Sequence, residues 1–173
     1  MKPSMARLYY GWWIVGGAIL CQFAFMSVSQ AIVGVFMRPV IDDLGWKVWQ
    51  FTLGSSLAVG AGAMTGIIAG NIVDSKGPRP LMLVGAVVSA ACLLLLGRQS
   101  SLVVFLSIYV AAGLVGWNLF SPLVVNATLS KWFIRRRGWA LAIGSIGISM
   151  AGLIAPFVMT TIVDSYGWRT GYS

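Results

Sequence analysis

Long stretches without a single charged residue alternate with short charged interruptions along the whole chain. No charge occurs between Leu8 and Met37, between Val48 and Gly70, between Leu81 and Gly97, between Leu102 and Leu129, or between Trp139 and Val163. A helix needs ~20 apolar residues to cross the hydrocarbon core of a bilayer, with ~17 as the lower end of the range. The pattern therefore predicts five spans, at 10–37, 48–70, 81–97, 102–129 and 139–163, in one transmembrane helical domain covering 1–173. Residues 169–173 read as the first turn of a sixth helix, so the chain is expected to be a fragment or a truncated product. The first run is too long for the apolar core of a signal peptide and lacks a small-residue cleavage site, so it is read as a retained span.

The interruption between the second and third runs is the most informative one. Gly70-Asn-Ile-Val-Asp-Ser-Lys-Gly-Pro-Arg79 gathers Asp74, Lys76 and Arg79 around Gly77. Gly77 permits chain reversal at low steric cost, and Pro78 and Pro80 fix φ where a new helix starts. Helices joined by so short a loop lie antiparallel and side by side. The second run also carries Gly62, Gly66 and Gly70 at four-residue spacing, a smooth stripe along which a neighbouring helix can approach. Gly144, Gly147, Ala151 and Gly152 repeat the idea in the fifth run, where Pro156 can bend the helix.

Composition agrees with the pattern. The chain is 58% hydrophobic and 9% charged, with a mean hydropathy of +0.87, too apolar for a water-soluble domain. The fold class expected is an all-α integral membrane bundle. Cys21 and Cys92 both fall inside apolar runs and histidine is absent, so no metal, cofactor or disulfide framework is expected. No constellation for acid–base or nucleophilic catalysis appears, and no phosphate-binding loop follows a strand, so the chain is not read as an enzyme.

The net charge of +8 has a sidedness. Lys2, Arg7, Lys76, Arg79, Lys131, Arg135, Arg136 and Arg137 fall on one side of the predicted topology. Arg38, Lys47, Arg98 and Arg169 fall on the other, with Asp42, Asp43 and Asp164. The positive-inside rule then places the N-terminus and the Asp74 loop in the cytoplasm, in a cell (inner or plasma) membrane. That distribution accounts for the charge without a nucleic-acid partner. Most tryptophans fall near predicted helix ends, at headgroup level. Trp117 is the exception, near the middle of the fourth run, where it either packs against lipid or helix or forms a cavity wall.

Polar residues inside an apolar span are costly unless they pair or line water. Gln22, Ser29 and Gln30 fall on one face of a continuous first helix, and Asn118, Pro122 and Asn126 on one face of a continuous fourth, with Ser121 beside them. They either bond between helices or line a path for solute. No Asp, Glu, Lys or Arg lies within any predicted span.

Several of these stretches are similar to the major facilitator superfamily. The second interruption resembles its loop between helices two and three, roughly G-x-x-x-D-R-x-G-R-R, which Gly70, Asp74, Gly77 and Arg79 match. Ser75 and Pro78 depart from it. Lys131-Trp-Phe-Ile-Arg-Arg-Arg-Gly-Trp-Ala-Leu-Ala-Ile-Gly144 resembles the loop and fifth-helix start of the monocarboxylate and oxalate/formate branch, and Tyr166-Gly-Trp-Arg169 its sixth-helix opening. The resemblance implies the amino-terminal half of a two-half fold, and antiport or other secondary transport of a small organic anion by alternating access. It implies that helices one and four line the cavity, which makes Gln22, Ser29, Gln30, Trp117, Asn118, Ser121 and Asn126 the candidate substrate path. Gly70, Asp74, Gly77 and Arg79 become a gating motif, with Asp74 capping a partner helix or pairing locally with Lys76 or Arg79. Animal monocarboxylate transporters carry a lysine near the position of Gln30-Ala31, and its absence here counts against a proton-linked mechanism. The expected partners are membrane lipids, a small anionic solute, and a missing carboxy-terminal half or an oligomeric partner. The competing reading is a small membrane protein that acts as an oligomeric half-transporter or as a packing partner for another protein.

Overall fold

The computed structural model describes residues 11–134 and 137–172, and for Ala31 the backbone alone. Lys2, Arg7, Arg135, Arg136 and Ser173 lie outside the described residues. Among the described residues, five helical segments are long and apolar enough to cross a membrane: Gly11–Leu44, Val48–Lys76, Arg79–Arg98, Leu102–Trp132 and Arg137–Tyr166. Among the described residues there is no strand, as expected where backbone groups in lipid must be satisfied within the chain's own helices.

Two of the five spans are broken. The first consists of α1 (Gly11–Met26), one π turn (Ser27–Ala31) and α2 (Ile32–Leu44). The second and third spans are α3 (Val48–Lys76) and α4 (Arg79–Arg98). The fourth consists of α5 (Leu102–Val115), a 3-10 turn (Trp117–Phe120) and α6 (Pro122–Trp132). The fifth is α7 (Arg137–Tyr166), and α8 (Trp168–Gly171) is the short helix expected at the end of the chain.

The helix ends differ from the sequence reading most at the first two spans, and the fourth holds an unexpected break. The first helix does not stop at Met37 but runs to Leu44 with Pro39 inside it. Phe36 and Val40 are fully buried on one face there, and that packing outweighs the loss of one helical hydrogen bond at the proline. The reversal needs only Gly45, at φ 66°, with Trp46 and Lys47. The second helix likewise continues past Gly70 to Lys76, so Asp74 stands on its last turn. Gly77 at φ 80° and Pro78 make the whole turn, and Pro80 falls in the first turn of α4. The break at Gly116–Ser121 was not expected. Pro122 opens α6 in the first-turn position that suits it.

Packing is carried by close backbone approaches. A Cβ on Gly113 would collide with the Ala58 carbonyl of α3, and one on Gly147 with the Ile19 carbonyl of α1. These contacts fix the second span against the fourth and the first against the fifth. Of the glycine stripe on α3, only Gly62 is closely approached, by the Asn118 side chain, while Gly66 and Gly70 have nothing within 4 Å. Gly144 meets Leu129 of α6, and Gly152 faces open space. A cluster of Phe51, Phe105, Tyr109 and Trp117 fills the interior between α3 and α5, with Phe105 and Tyr109 ring centroids 4.6 Å apart.

Candidate functional site

The two helix breaks border the same cavity. A space of about 380 Å³ is lined by Phe25, Ser29 and Gln30 from the first span, Ser55 and Ser56 from α3, and Tyr109, Trp117 and Asn118 from the fourth. A π turn on one side and a 3-10 turn on the other therefore bring irregular backbone to a polar space within the bundle. Broken helices are tolerated at membrane depth where they are buried in protein or line a cavity. Ser29 Oγ donates to Phe25 O at 2.7 Å and Ser27 Oγ to Phe23 O at 2.8 Å, so these hydroxyls have partners before any solute arrives.

Asn118 holds the second break. Its Nδ2 donates to the Gly113 carbonyl at 2.6 Å, where α5 is about to end. The same residue borders a second space of about 540 Å³ that extends along α3 past Gly62 and Gly66 and takes in Ser121 and Val124. Phe25 and Val59 line both spaces. Asn118 thus stands at the junction of two cavities, with room for its amide supplied by the missing side chain of Gly62. Trp117 is buried, not lipid-facing, and meets Tyr109 edge to face with centroids 5.8 Å apart.

The sequence-predicted cavity residues separate into two groups. Ser29, Gln30, Trp117, Asn118 and Ser121 border the two spaces. Gln22 and Asn126 instead meet each other, Gln22 Nε2 donating to Asn126 Oδ1 at 3.3 Å. Gln22 is fully buried beside Gly144. The breaks explain the separation. A π turn between Gln22 and Gln30 and a 3-10 turn between Asn118 and Pro122 rotate the faces on which regular helical spacing had placed them.

At the end of the bundle near the α3–α4 turn, Asp74 Oδ1 lies 2.6 Å from Lys131 Nζ, and that ammonium also donates to Val73 O at 3.3 Å. The ion pair thus joins the ends of the second and fourth spans, where sequence reading had offered either a cap on a partner helix or a local pair. Both side chains are largely exposed, at 71% for Asp74 and 48% for Lys131, so solvent screens the pair. The opposite end has a junction that sequence reasoning missed. Asp43 Oδ2 accepts from Trp168 Nε1 at 3.2 Å and from Arg169 Nη2 at 3.1 Å, and the guanidinium lies 4.3 Å from the Trp168 ring centre. The aspartate and the Gly-Trp-Arg run were both visible, but nothing in sequence spacing connects residues 125 apart.

A bundle of apolar spans, two of them broken around a shared polar space, has the architecture of a membrane transport protein. The Major Facilitator Superfamily profile matches residues 17–173, and the chain belongs to that family of transporters rather than to an enzyme family. Among curated proteins it is 28% identical over 163 residues to the fujikurins efflux protein of Gibberella fujikuroi, covering 91% of this chain and 34% of that protein. It is 25% identical over 162 residues to monocarboxylate transporter 13 of Rattus norvegicus, covering 92% and 37%. With monocarboxylate transporter 2 of Mesocricetus auratus it shares 26% over 174 residues, covering 94% and 34%. The chain spans about a third of the length of these relatives.

Proposed function

We propose that this chain forms the amino-terminal half of a transporter that moves a small organic anion across the membrane by alternating access. One observation carries the reading: both helix breaks border one space whose lining offers the Gln30 and Asn118 amides and the Trp117 indole as donors and no charged side chain. Such donors hold a carboxylate by hydrogen bonds without a fixed cation, while its full neutralisation falls to groups outside this chain. Several relatives are named monocarboxylate transporters, which supports the same substrate class. The path runs past Ser29, Gln30, Trp117, Asn118 and Ser121. Gln22 and Asn126 tie the first span to the fourth, and Gly70, Asp74, Gly77 and Arg79 form the gating end.

The N-terminus and the α3–α4 turn face the cytoplasm of a cell membrane in this reading. The basic residues favour that side, and each ion pair joins two residues assigned to the same side: Asp74 with Lys131, and Asp43 with Arg169. Labelling Ser75→Cys in intact cells tests the orientation; reaction with an impermeant reagent from outside would overturn it. Transport is tested in vesicles holding a transporter that carries this chain. Labelled lactate, formate or oxalate should accumulate, and Asn118→Ala should lower the rate at matched membrane amount. The absence of uptake of all three would reject the anion assignment. Met1–Ser173 reconstituted alone is expected to show no uptake, because alternating access needs a second half to move against.

A further inference from the structure

A third cavity, of about 450 Å³, lies apart from the mid-depth spaces, between the start of the first span, the α3–α4 turn and the last turns of α6. Its lining changes character from mouth to floor. Trp13 and Trp132 line it and are 73% and 44% exposed. Lys76 and Arg79, both exposed, flank them from the turn. Deeper in, the walls are apolar, with Ala18, Cys21, Met82 and Leu129 among them. No carboxylate is among the lining residues.

We propose that this cavity binds one anionic phospholipid, with the phosphate held by Lys76 and Arg79 and an acyl chain lying against Ala18, Cys21, Met82 and Leu129. Indole rings settle at headgroup depth, so Trp13 and Trp132 put the two basic groups at the level of lipid phosphates. Basic pockets between transmembrane helices suit anionic headgroups, and each Lys or Arg near an anionic surface adds attraction. A free anionic solute would meet the basic groups but leave the apolar walls wet, whereas a lipid covers both. The chain's own leader carries only the basic charges Lys2 and Arg7 and so offers no anion for Lys76 and Arg79.

Native mass spectrometry of the purified full chain, titrated with equal amounts of phosphatidylglycerol and phosphatidylcholine of matched acyl chains, tests the assignment. The first retained lipid should be phosphatidylglycerol in clear excess. Lys76→Gln should lower that preference about fivefold, which corresponds to roughly 1 kcal/mol for one basic group near an anionic headgroup. Lys76→Arg should preserve it, and Arg98→Gln at the other end of the bundle should leave it unchanged. Equal retention of the two lipids by the parent chain would overturn the proposal, as would an unaltered preference in Lys76→Gln. Displacement of the lipid by glycerol phosphate at equal concentration would overturn it in favour of a soluble anion.

Discussion

The seams of this bundle and its mid-depth cavity are built from opposite materials. Along the seams, Gly113 lies against the Ala58 backbone and Gly147 against the Ile19 backbone, with no space for a side chain. Around the cavity the helices lose their regular winding, and Ser29, Gln30 and Asn118 stand where packing is incomplete. In lipid there is no hydrophobic drive for helices to associate, so close backbone contact and dispersion must hold the seams. The cavity spends part of that packing on polar groups and unwound turns. The contrast teaches that seam and cavity respond to mutation in different ways, the one through stability and the other through transport.

The largest effect is expected at the seams. Gly147→Val or Gly113→Val forces atoms into a neighbouring backbone, and overpacking costs about 1–3 kcal/mol where neighbours can shift and more where they cannot. Thermal melts of the purified protein should fall sharply for both, while Gly66→Ala, with nothing within 4 Å, should melt like the parent. A silent Gly147→Val would dissolve the distinction between tight and open glycines.

Next comes the cavity itself. Asn118→Ala removes the donor to the Gly113 carbonyl and enlarges the junction between the two spaces. Leaving a buried acceptor unsatisfied costs about 1–3 kcal/mol. In a transporter that carries this chain, transport should fall at least fivefold at matched amount. Asn126→Ala breaks a bond to Gln22 that lies between helices. Such bonds average about 0.6 kcal/mol in membranes, so a small drop in melting temperature and less than a threefold change in transport are expected. The reverse ranking would move the substrate path to Gln22 and Asn126.

Smaller effects belong to the two ends. Asp74→Asn weakens an exposed pair worth about 0.2–1 kcal/mol, enough to shift a two-state equilibrium by at most about fivefold. Transport should change by that factor with membrane amount unaltered, and equal transport per molecule would remove Asp74 from gating. Asp43→Asn at the other end keeps an acceptor for Trp168 and loses only the charge toward Arg169. It should lower the melting temperature slightly and leave transport within twofold.

How much of this was legible in the sequence follows from the same contrast. Charge-free runs and the Gly77–Pro78 turn located all five spans, because desolvation of charge in lipid dominates every local preference. Helix ends were misjudged wherever a charged residue was taken for the end of a helix. Asp74 and Lys76 remain helical at the membrane surface, and so do Arg38, Asp42 and Asp43 beyond Met37. Polar residues flagged Ser29, Gln30 and Asn118 as cavity candidates but could not separate them from Gln22. That separation depends on a π turn and a 3-10 turn, which no residue pattern here announces apart from Pro122. Glycine spacing was informative in part: Gly62, Gly144 and Gly147 are closely approached, Gly66, Gly70 and Gly152 stand open, and Gly113, which spacing did not single out, lies against a backbone.

The central claim, that solute passes between the two helix breaks, is tested most directly by cysteine accessibility in a transporter carrying this chain. Ser29→Cys and Asn118→Cys border the proposed path, and Leu153→Cys lies on an exposed apolar face of α7. Small water-soluble thiosulfonates should react at positions 29 and 118 and block transport, with reaction slowed by transported substrate, and should leave position 153 untouched. Unreactive cysteines at 29 and 118 under conditions where transport proceeds, or reactivity that substrate does not slow, would contradict the account.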